Sequence, residues 1–121
     1  MENQSSTAWP QYVMYLLIMI LVFFASTAYS QIEVKHFNAG WNRANSVPWY
    51  MDLDDVKTAG HTDIAKDKEA QTKYKIAVVP TIIIFKDGEE VARFQADLSF
   101  KMVATREEVQ DEIDNILMSD F

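Results

Sequence analysis

The chain has 121 residues, a formal net charge of −7 at pH 7 and no cysteine. This length allows one small domain and a short terminal segment. The negative charge argues against a nucleic-acid partner, because such binding depends on cationic contacts to phosphates. Without cysteine the chain has no disulfide, no thiolate metal ligand and no thiol nucleophile.

An apolar run from Tyr12 to Ala25 dominates residues 1–30, and small neutral residues follow it. An apolar core before the small-x-small site Ala28-Tyr29-Ser30 is typical of a cleaved signal peptide. An uncleaved membrane anchor is the alternative, because residues 12–29 just reach the about 18 apolar residues that a span needs. We therefore expect a membrane-associated or exported, periplasmic or otherwise extracytoplasmic, protein. An anchor with the domain facing the cytoplasm stays open, because the nearest cations follow the run.

Residues 31–121 are expected to form the folded domain. Ile32 to Phe37 reads as a first strand, and a loop rich in turn-forming residues follows it. The next stretch predicts a short helix over Asn45–Leu53, with Pro48 in its first turn. Lys57–Ala65 has the length of a strand but few apolar residues, and Asp67 to Tyr74 predicts a short polar helix.

A β-hairpin is predicted over Val78–Phe94. Thr81 to Phe85 is an unbroken apolar, β-branched run, which is typical of a strand buried on both faces. Asp87-Gly88 favours a tight turn because both residues tolerate positive φ. Pro80 stands at the entry of the strand and is a candidate for a cis peptide bond. A strand covered on both faces requires helices on both sides of the sheet, so the sequence predicts an α/β architecture.

Beyond the hairpin, apolar and polar residues alternate from Ala92 to Met102, which predicts one long edge strand. Thr105 and Glu108 then form a capping box at the start of a terminal helix. The inner face of that helix is apolar and consists of Val109, Ile113, Ile116 and Leu117.

The first strand, the loop after it and the hairpin resemble the thioredoxin family. Ala39 and the stretch Trp41-Asn42-Arg43-Ala44-Asn45 resemble its WCxxC segment, and Val79-Pro80-Thr81 resembles its cis-proline entry. The resemblance implies a thioredoxin-like three-layer fold, a central mixed β-sheet flanked by helices, here preceded by an N-terminal hydrophobic helix. It also places Asn42 and Asn45 at the two positions where the family keeps its redox cysteines.

These substitutions remove the chemistry that the resemblance would otherwise imply. Dithiol–disulfide exchange needs an attacking thiolate and a resolving thiol, and an asparagine amide replaces neither. The position of the family's buried acid is taken by His36. We therefore expect no catalytic residue, no cofactor and no metal ion, and a redox-inactive module that binds a protein or peptide segment. Its expected peptide-binding groove consists of Trp41, Asn42, Asn45, Val79 and Pro80.

Other interpretations stay open for the residues and for the whole chain. An asparagine of the loop could cap the helix after it. His36 and His61 lie on different elements, which favours solvated or satisfied histidines over metal ligands. Two further functions remain: a disulfide oxidoreductase role in redox homeostasis, as the resemblance implies, and a structural subunit that assembles through the long edge strand.

Overall fold

The structure is a computed structural model that describes residues 10–27 and 31–119. It contains three α-helices, four strands and two 3-10 helices in these described ranges. In chain order they are α1 (Gln11–Thr27), β1 (Ile32–Asn38), 3-10 helices over Gly40–Asn45 and Pro48–Asp52, β2 (Thr58–Asp63), α2 (Lys68–Lys73), β3 (Thr81–Lys86), β4 (Glu89–Gln95) and α3 (Arg106–Met118).

The four strands form one mixed sheet in the order β2-β1-β3-β4. β1 pairs with β2 in parallel, and β3 is antiparallel to both β1 and β4. The two central strands are therefore β1 and β3, whose sequences are the apolar ones. The weakest of the predicted strands, over Lys57–Ala65, is confirmed as the edge strand β2.

Two apolar clusters cover the two faces of the sheet. Ile82 and Ile84 of β3 pack in one cluster with Val109 of α3. Ile83 and Phe85 point to the other face, where the cluster includes Ala70 of α2. All residues from Thr81 to Phe85 are buried, which confirms the strand that the unbroken apolar run predicts. The predicted α/β architecture, a mixed sheet flanked by helices, is confirmed.

Side chains at the start of α2 and α3 satisfy free N–H groups of the first helical turn. The carboxylate of Asp67 accepts a hydrogen bond from the Ala70 N–H at 3.0 Å. The Thr105 hydroxyl accepts from the Glu108 N–H at 3.2 Å, which confirms the Thr105 half of the predicted capping box. The Glu108 carboxylate accepts from the Thr105 hydroxyl at 3.3 Å. The peptide bond between Val79 and Pro80 is cis, as the position of the proline predicts.

The short helix predicted over Asn45–Leu53 forms as a 3-10 helix over Pro48–Asp52, with Pro48 in its first turn as predicted, but its predicted start at Asn45 is wrong. Ser46 and Val47 separate it from the first 3-10 helix and have extended backbone, with ψ angles of 149° and 96°. Pro48 explains the break, because its ring disfavours helical backbone in the preceding residue and it has no N–H to donate.

The long edge strand predicted over Ala92–Met102 is also wrong. β4 ends at Gln95, and only an isolated bridge joins Ala96 to Met102. The carboxylate of Asp97 accepts hydrogen bonds from the N–H groups of Ser99, at 2.8 Å, and Lys101, at 3.2 Å, and so closes a turn. Asp competes in this way with regular pairing, which alternation of apolar residues does not reveal. We call residues 96–102 the bridged turn.

The N-terminal part of the structure is the helix α1, which covers the whole apolar run from Tyr12 to Ala25. Its 17 residues make no membrane span, and within the described ranges no other helix is long and apolar enough to cross a bilayer. The expected cleavage site at residues 28–30 lies outside the described residues. The signal peptide, the anchor and the division of the chain at residue 30 stay predictions.

Candidate functional site

The site is built where β1 runs into the first 3-10 helix. Asn38 is the last residue of β1, and its side chain is almost completely buried. Its amide nitrogen donates to the Asn42 carbonyl oxygen at 3.1 Å and to the Ser46 hydroxyl at 2.9 Å. Asn38 therefore fixes the path of the chain through the loop that the sequence predicts to be functional.

Asn42 ties this loop to the two segments across the site. Its exposed fraction is 6%, and its amide nitrogen lies 3.1 Å from the Asn38 Oδ1, 3.1 Å from the Phe100 carbonyl oxygen and 3.4 Å from that of Val79. Burial of this amide without these acceptors would cost roughly 1–3 kcal/mol of folding free energy. The residue at the first family redox position is thus a structural cross-link between the loop, the cis-proline entry and the bridged turn.

Asn45 extends the network and leaves the predicted capping role unfilled. Its amide nitrogen donates to the Asn42 Oδ1 at 2.8 Å. The residues before the two 3-10 helices are Ala39 and Val47, and neither provides a side-chain cap. The interpretation of Asn42 or Asn45 as a helix cap is therefore wrong, because each amide bonds to its neighbours.

The residues of the expected groove lie together but differ in exposure. Trp41 has 66% of its surface exposed, whereas Val79 and Pro80 are buried and Asn45 is half-buried. The Trp41 ring stands edge-on to the Phe100 ring, with centroids 5.2 Å apart and an interplanar angle of 88°. The accessible part of the site is therefore aromatic, and the asparagines and the proline lie beneath it.

A histidine pair lies behind the asparagine network, at the position where the resemblance places a buried acid. His36 on β1 pairs in register with His61 on β2, and their Nδ1 atoms are 2.8 Å apart. The Val47 N–H donates to the His36 Nε2 at 3.2 Å. Because this bond requires an unprotonated Nε2, neutral His36 carries its proton on Nδ1. The His36 Nδ1–H then donates a hydrogen bond to the His61 Nδ1. Neutral His61 then carries its own proton on Nε2.

Burial controls the charge of His36. Desolvation, with a smaller contribution from neighbouring His61, lowers the pKa of His36 from its ordinary 6.5 to about 4. Its ring also stacks on Tyr50 at 4.7 Å. A base that stays neutral above pH 5 serves here as a hydrogen-bonded core residue.

The chemistry available at this site is polar contact and aromatic packing. Amides are not nucleophiles at neutral pH, and the sequence contains no thiol for disulfide exchange. Within residues 10–27 and 31–119, no group of three or more His, Asp or Glu side chains could hold a metal ion.

The mixed sheet, its two helical layers and the cis-proline opposite the loop define a thioredoxin-like fold, here in a chain without cysteine. Solved structures support this conclusion. A thioredoxin mutant from Halobacterium salinarum NRC-1 superposes with a TM-score of 0.53 at 20% identity, over 72% of this chain and 75% of that one. The oxidised thioredoxin of Plasmodium falciparum gives 0.51 at 18% identity, over 80% and 91%.

A third structure, thioredoxin-2 from the protein secretion machinery of the malaria parasite, gives a TM-score of 0.54 at 16% identity, over 71% and 84%. No protein-family model and no curated protein matches the sequence. At these identities the likeness establishes the fold, and the function has to be argued from the site.

Sequence reasoning missed three parts of this site: Asn38, the contact from Phe100 and the pairing of His36 with His61. The histidine pair depends on the register of two parallel strands, which no local pattern encodes. A hint was present in Asn38, a polar residue directly after the apolar end of a predicted central strand, where burial has to be compensated by hydrogen bonds.

Proposed function

We propose that this chain is a redox-inactive, thioredoxin-like module that binds an extended apolar segment of a partner protein. The observation that carries the proposal is the exposed Trp41, which stands over positions where mutually bonded asparagines replace the family's thiols. We propose further that the module is exported or tethered to a membrane through residues 12–29, on the basis of the apolar run there.

The surface around Trp41 supports binding because it is apolar and already ordered. Phe100 holds the Trp41 ring from one side, so little side-chain entropy is left to lose when a partner arrives. Leu98, at the tip of the bridged turn, has 98% of its surface exposed. Exposed aromatic side chains in contact favour a protein partner, and Trp is enriched among the residues that dominate binding energy.

The contribution of the cis-proline entry follows from its hydrogen bonds. The Val79 carbonyl is approached by the Asn42 amide at 3.4 Å, a long contact. A partner's backbone N–H could pair with this carbonyl by displacing Asn42, as in strand addition. We therefore assign the anchoring to Trp41 and Phe100, and assign to Asn42, Asn45, Val79 and Pro80 the floor of the groove.

The two alternative functions have less support. A disulfide oxidoreductase needs a thiol, and the sequence contains none. Assembly through a long edge strand loses its basis because β4 ends at Gln95. The free edge that remains on β4 is seven residues long and begins with two glutamates, which oppose edge-to-edge pairing of two copies.

The experiment selects extended peptides from a random display library on the full-length protein and measures their affinity by calorimetry. Trp41→Ala is expected to weaken the best binder by about 30-fold, the effect of losing one hot-spot residue. Met118→Ala is the matched control, because Met118 has similar exposure but lies on α3. Equal affinity of the Trp41→Ala variant and the wild type would contradict the proposal.

The location of the protein is tested separately. Mass spectrometry of the mature chain reports its N-terminus directly. A start at Gln31 supports export with cleavage, and a start at or near Met1 in a membrane fraction supports a tether. An intact chain in the fraction without membranes contradicts both.

A further inference from the structure

A second concave surface lies at the carboxyl ends of the two parallel strands, and Val79 is not among the residues that line it. β1 ends at Asn38 and β2 at Asp63, and these two residues are partners in register. A pocket of about 260 Å³ opens there. In open α/β sheets, ligands bind preferentially beyond the carboxyl ends of the strands. We call this cavity the strand-end pocket.

Two cations line the strand-end pocket without a partner of their own. Arg43 comes from the first 3-10 helix and Lys66 from the turn after β2. Neither side chain forms a hydrogen bond or an ion pair within the described ranges of the chain. In a protein with a net charge of −7, two unpaired cations at one recess make a local centre of positive charge.

His61 adds a hydrogen-bond donor whose direction is fixed by the histidine pair. The His61 Nδ1 accepts a hydrogen bond from the His36 Nδ1–H, so the proton of the neutral His61 ring is on Nε2. His61 also lines the pocket. The low pKa of His36, which results from burial, keeps that residue neutral and preserves the arrangement at pH 7. His61 thus brings an imidazole N–H donor to the lining of the pocket, beside the two cations.

Asp63 sets a second requirement on a ligand. The Asp63 Oδ1 accepts a hydrogen bond from the Ala65 N–H at 2.9 Å. A Cβ atom at position 40, which Gly40 lacks, would lie 3.3 Å from the Asp63 Oδ2. The absence of a side chain at position 40 leaves room beside this carboxylate. With one carboxylate and two cations, the lining carries a net charge of +1, which favours an anion that also bears a hydrogen-bond donor for Asp63.

We propose that the strand-end pocket binds the oxyanion of a small molecule, a phosphate or a carboxylate group. Arg43 and Lys66 supply the charge and His61 supplies an imidazole N–H, while Asp63 favours molecules with a donor next to the anionic group. This site is distinct from the groove at Trp41 and does not depend on it.

The test is an NMR titration of the full-length protein with inorganic phosphate, and in a second arm with acetate, at constant ionic strength. Saturable shifts are expected at residues of the pocket, and the tighter of the two anions identifies the class of oxyanion. Arg43→Ala and Lys66→Ala should each weaken phosphate or acetate binding by about three- to tenfold, the effect of losing one charge-assisted contact at an accessible site. Both residues are exposed, so these variants are expected to fold.

Lys68→Ala is the matched control, an exposed cation on α2 that does not line the pocket. Its affinity should stay within about twofold of the wild type, because screened surface charges interact weakly at a distance. Equal weakening by Lys68→Ala, or no saturable shift below about 10 mM of either anion, would overturn the proposal.

The ring nitrogens of His61 provide an independent readout. Long-range nitrogen–proton spectra of the free protein should show the Nε2–H form of the neutral ring, and the oxyanion should shift that nitrogen. A proton on Nδ1 would overturn the assignment of the donor. Trp41→Ala should leave anion binding unchanged, so failure of this site and failure of the peptide groove are distinguishable.

Discussion

The β3–β4 hairpin and the segment 40–53 are held by different forces. The hairpin is held by the ladder of two antiparallel strands and by apolar burial, with Ile82, Ile83 and Ile84 fully buried. The segment 40–53 contains two 3-10 helices and is held largely by side-chain hydrogen bonds from Asn38, Asn42 and His36.

The difference separates the residues that stabilise the domain from those that determine the chemical groups at the site. The hairpin belongs to both apolar clusters, so a change there affects the whole domain. The segment 40–53 decides which groups the site presents, and it can change those groups while the sheet stays intact. In this thioredoxin-like fold, the segment 40–53 presents two amides that bond to each other.

The largest effect is expected in the hairpin. Ile83→Ala removes a fully buried side chain from the cluster under α2 and should lower the free energy of unfolding by about 2–5 kcal/mol. Urea denaturation of the full-length protein measures it. Val91→Ala on β4 is the control, because Val91 is exposed and its loss should cost less than about 1 kcal/mol. Similar costs for the two variants would remove the distinction drawn here.

The next effect is a pH dependence that originates in the segment 40–53 and its partner His36. The pKa of His36 is about 4 in the folded chain and 6.5 ordinarily, so between these values only the unfolded chain binds the proton. The free energy of unfolding should therefore fall as the pH drops from 6.5 to 4, by roughly 3 kcal/mol. Above pH 6.5 this contribution is fully present.

His36→Gln isolates this contribution from that of the carboxylates. Gln has no proton to gain, so the variant should lose the steep part of the slope between pH 6.5 and 4. Urea denaturation at several pH values measures both proteins. His61 and Tyr50 face the His36 ring, and both remain in place in the variant. An unchanged slope would show that His36 titrates alike in both states.

A smaller effect is expected at the asparagine network. Asn42→Ala leaves the Asn38 Oδ1 and the Phe100 carbonyl without their donor and should cost about 1–3 kcal/mol. Asn45→Ala removes a single hydrogen bond from a half-buried residue and should cost about 1 kcal/mol or less. Thermal unfolding of the two variants compares them. A larger loss from Asn45→Ala would contradict the assignment of Asn42 as the cross-link.

The smallest effect on stability is expected at Trp41. Its ring is two-thirds exposed and makes one edge-on contact, so Trp41→Ala should cost no more than about 1 kcal/mol. Chemical denaturation checks this value. A loss comparable to that of Ile83→Ala would mean that Trp41 is a core residue, and the proposed binding role would lose its support.

The same division determines how much could be predicted from the sequence. The hairpin was predictable because its evidence is local: an apolar run, an Asp-Gly turn and a proline at the strand entry. The capping box of α3 was predictable for the same reason. Both elements are encoded within a few residues of where they form, and the structure confirms them.

The start of the helix in the segment 40–53 and the bridged turn were predicted wrongly because their conformation depends on competing local preferences. Pro48 breaks the expected helix by its effect on Val47, and Asp97 bends the chain where the apolar alternation continues. The contacts of the site are less predictable still. His36 meets His61 only through strand register, and Asn42 reaches Phe100 across 58 positions.

NMR spectra of the tryptophan indole N–H groups, recorded while a selected peptide is added to the full-length protein, decide whether Trp41 is a binding surface. The Trp41 signal is expected to shift and to saturate with the peptide. The signal of Trp49, which packs against the apolar cluster under α3, should stay in place. A saturable shift at Trp49 with an unmoved Trp41 would contradict a binding surface at the redox positions of this thioredoxin-like fold.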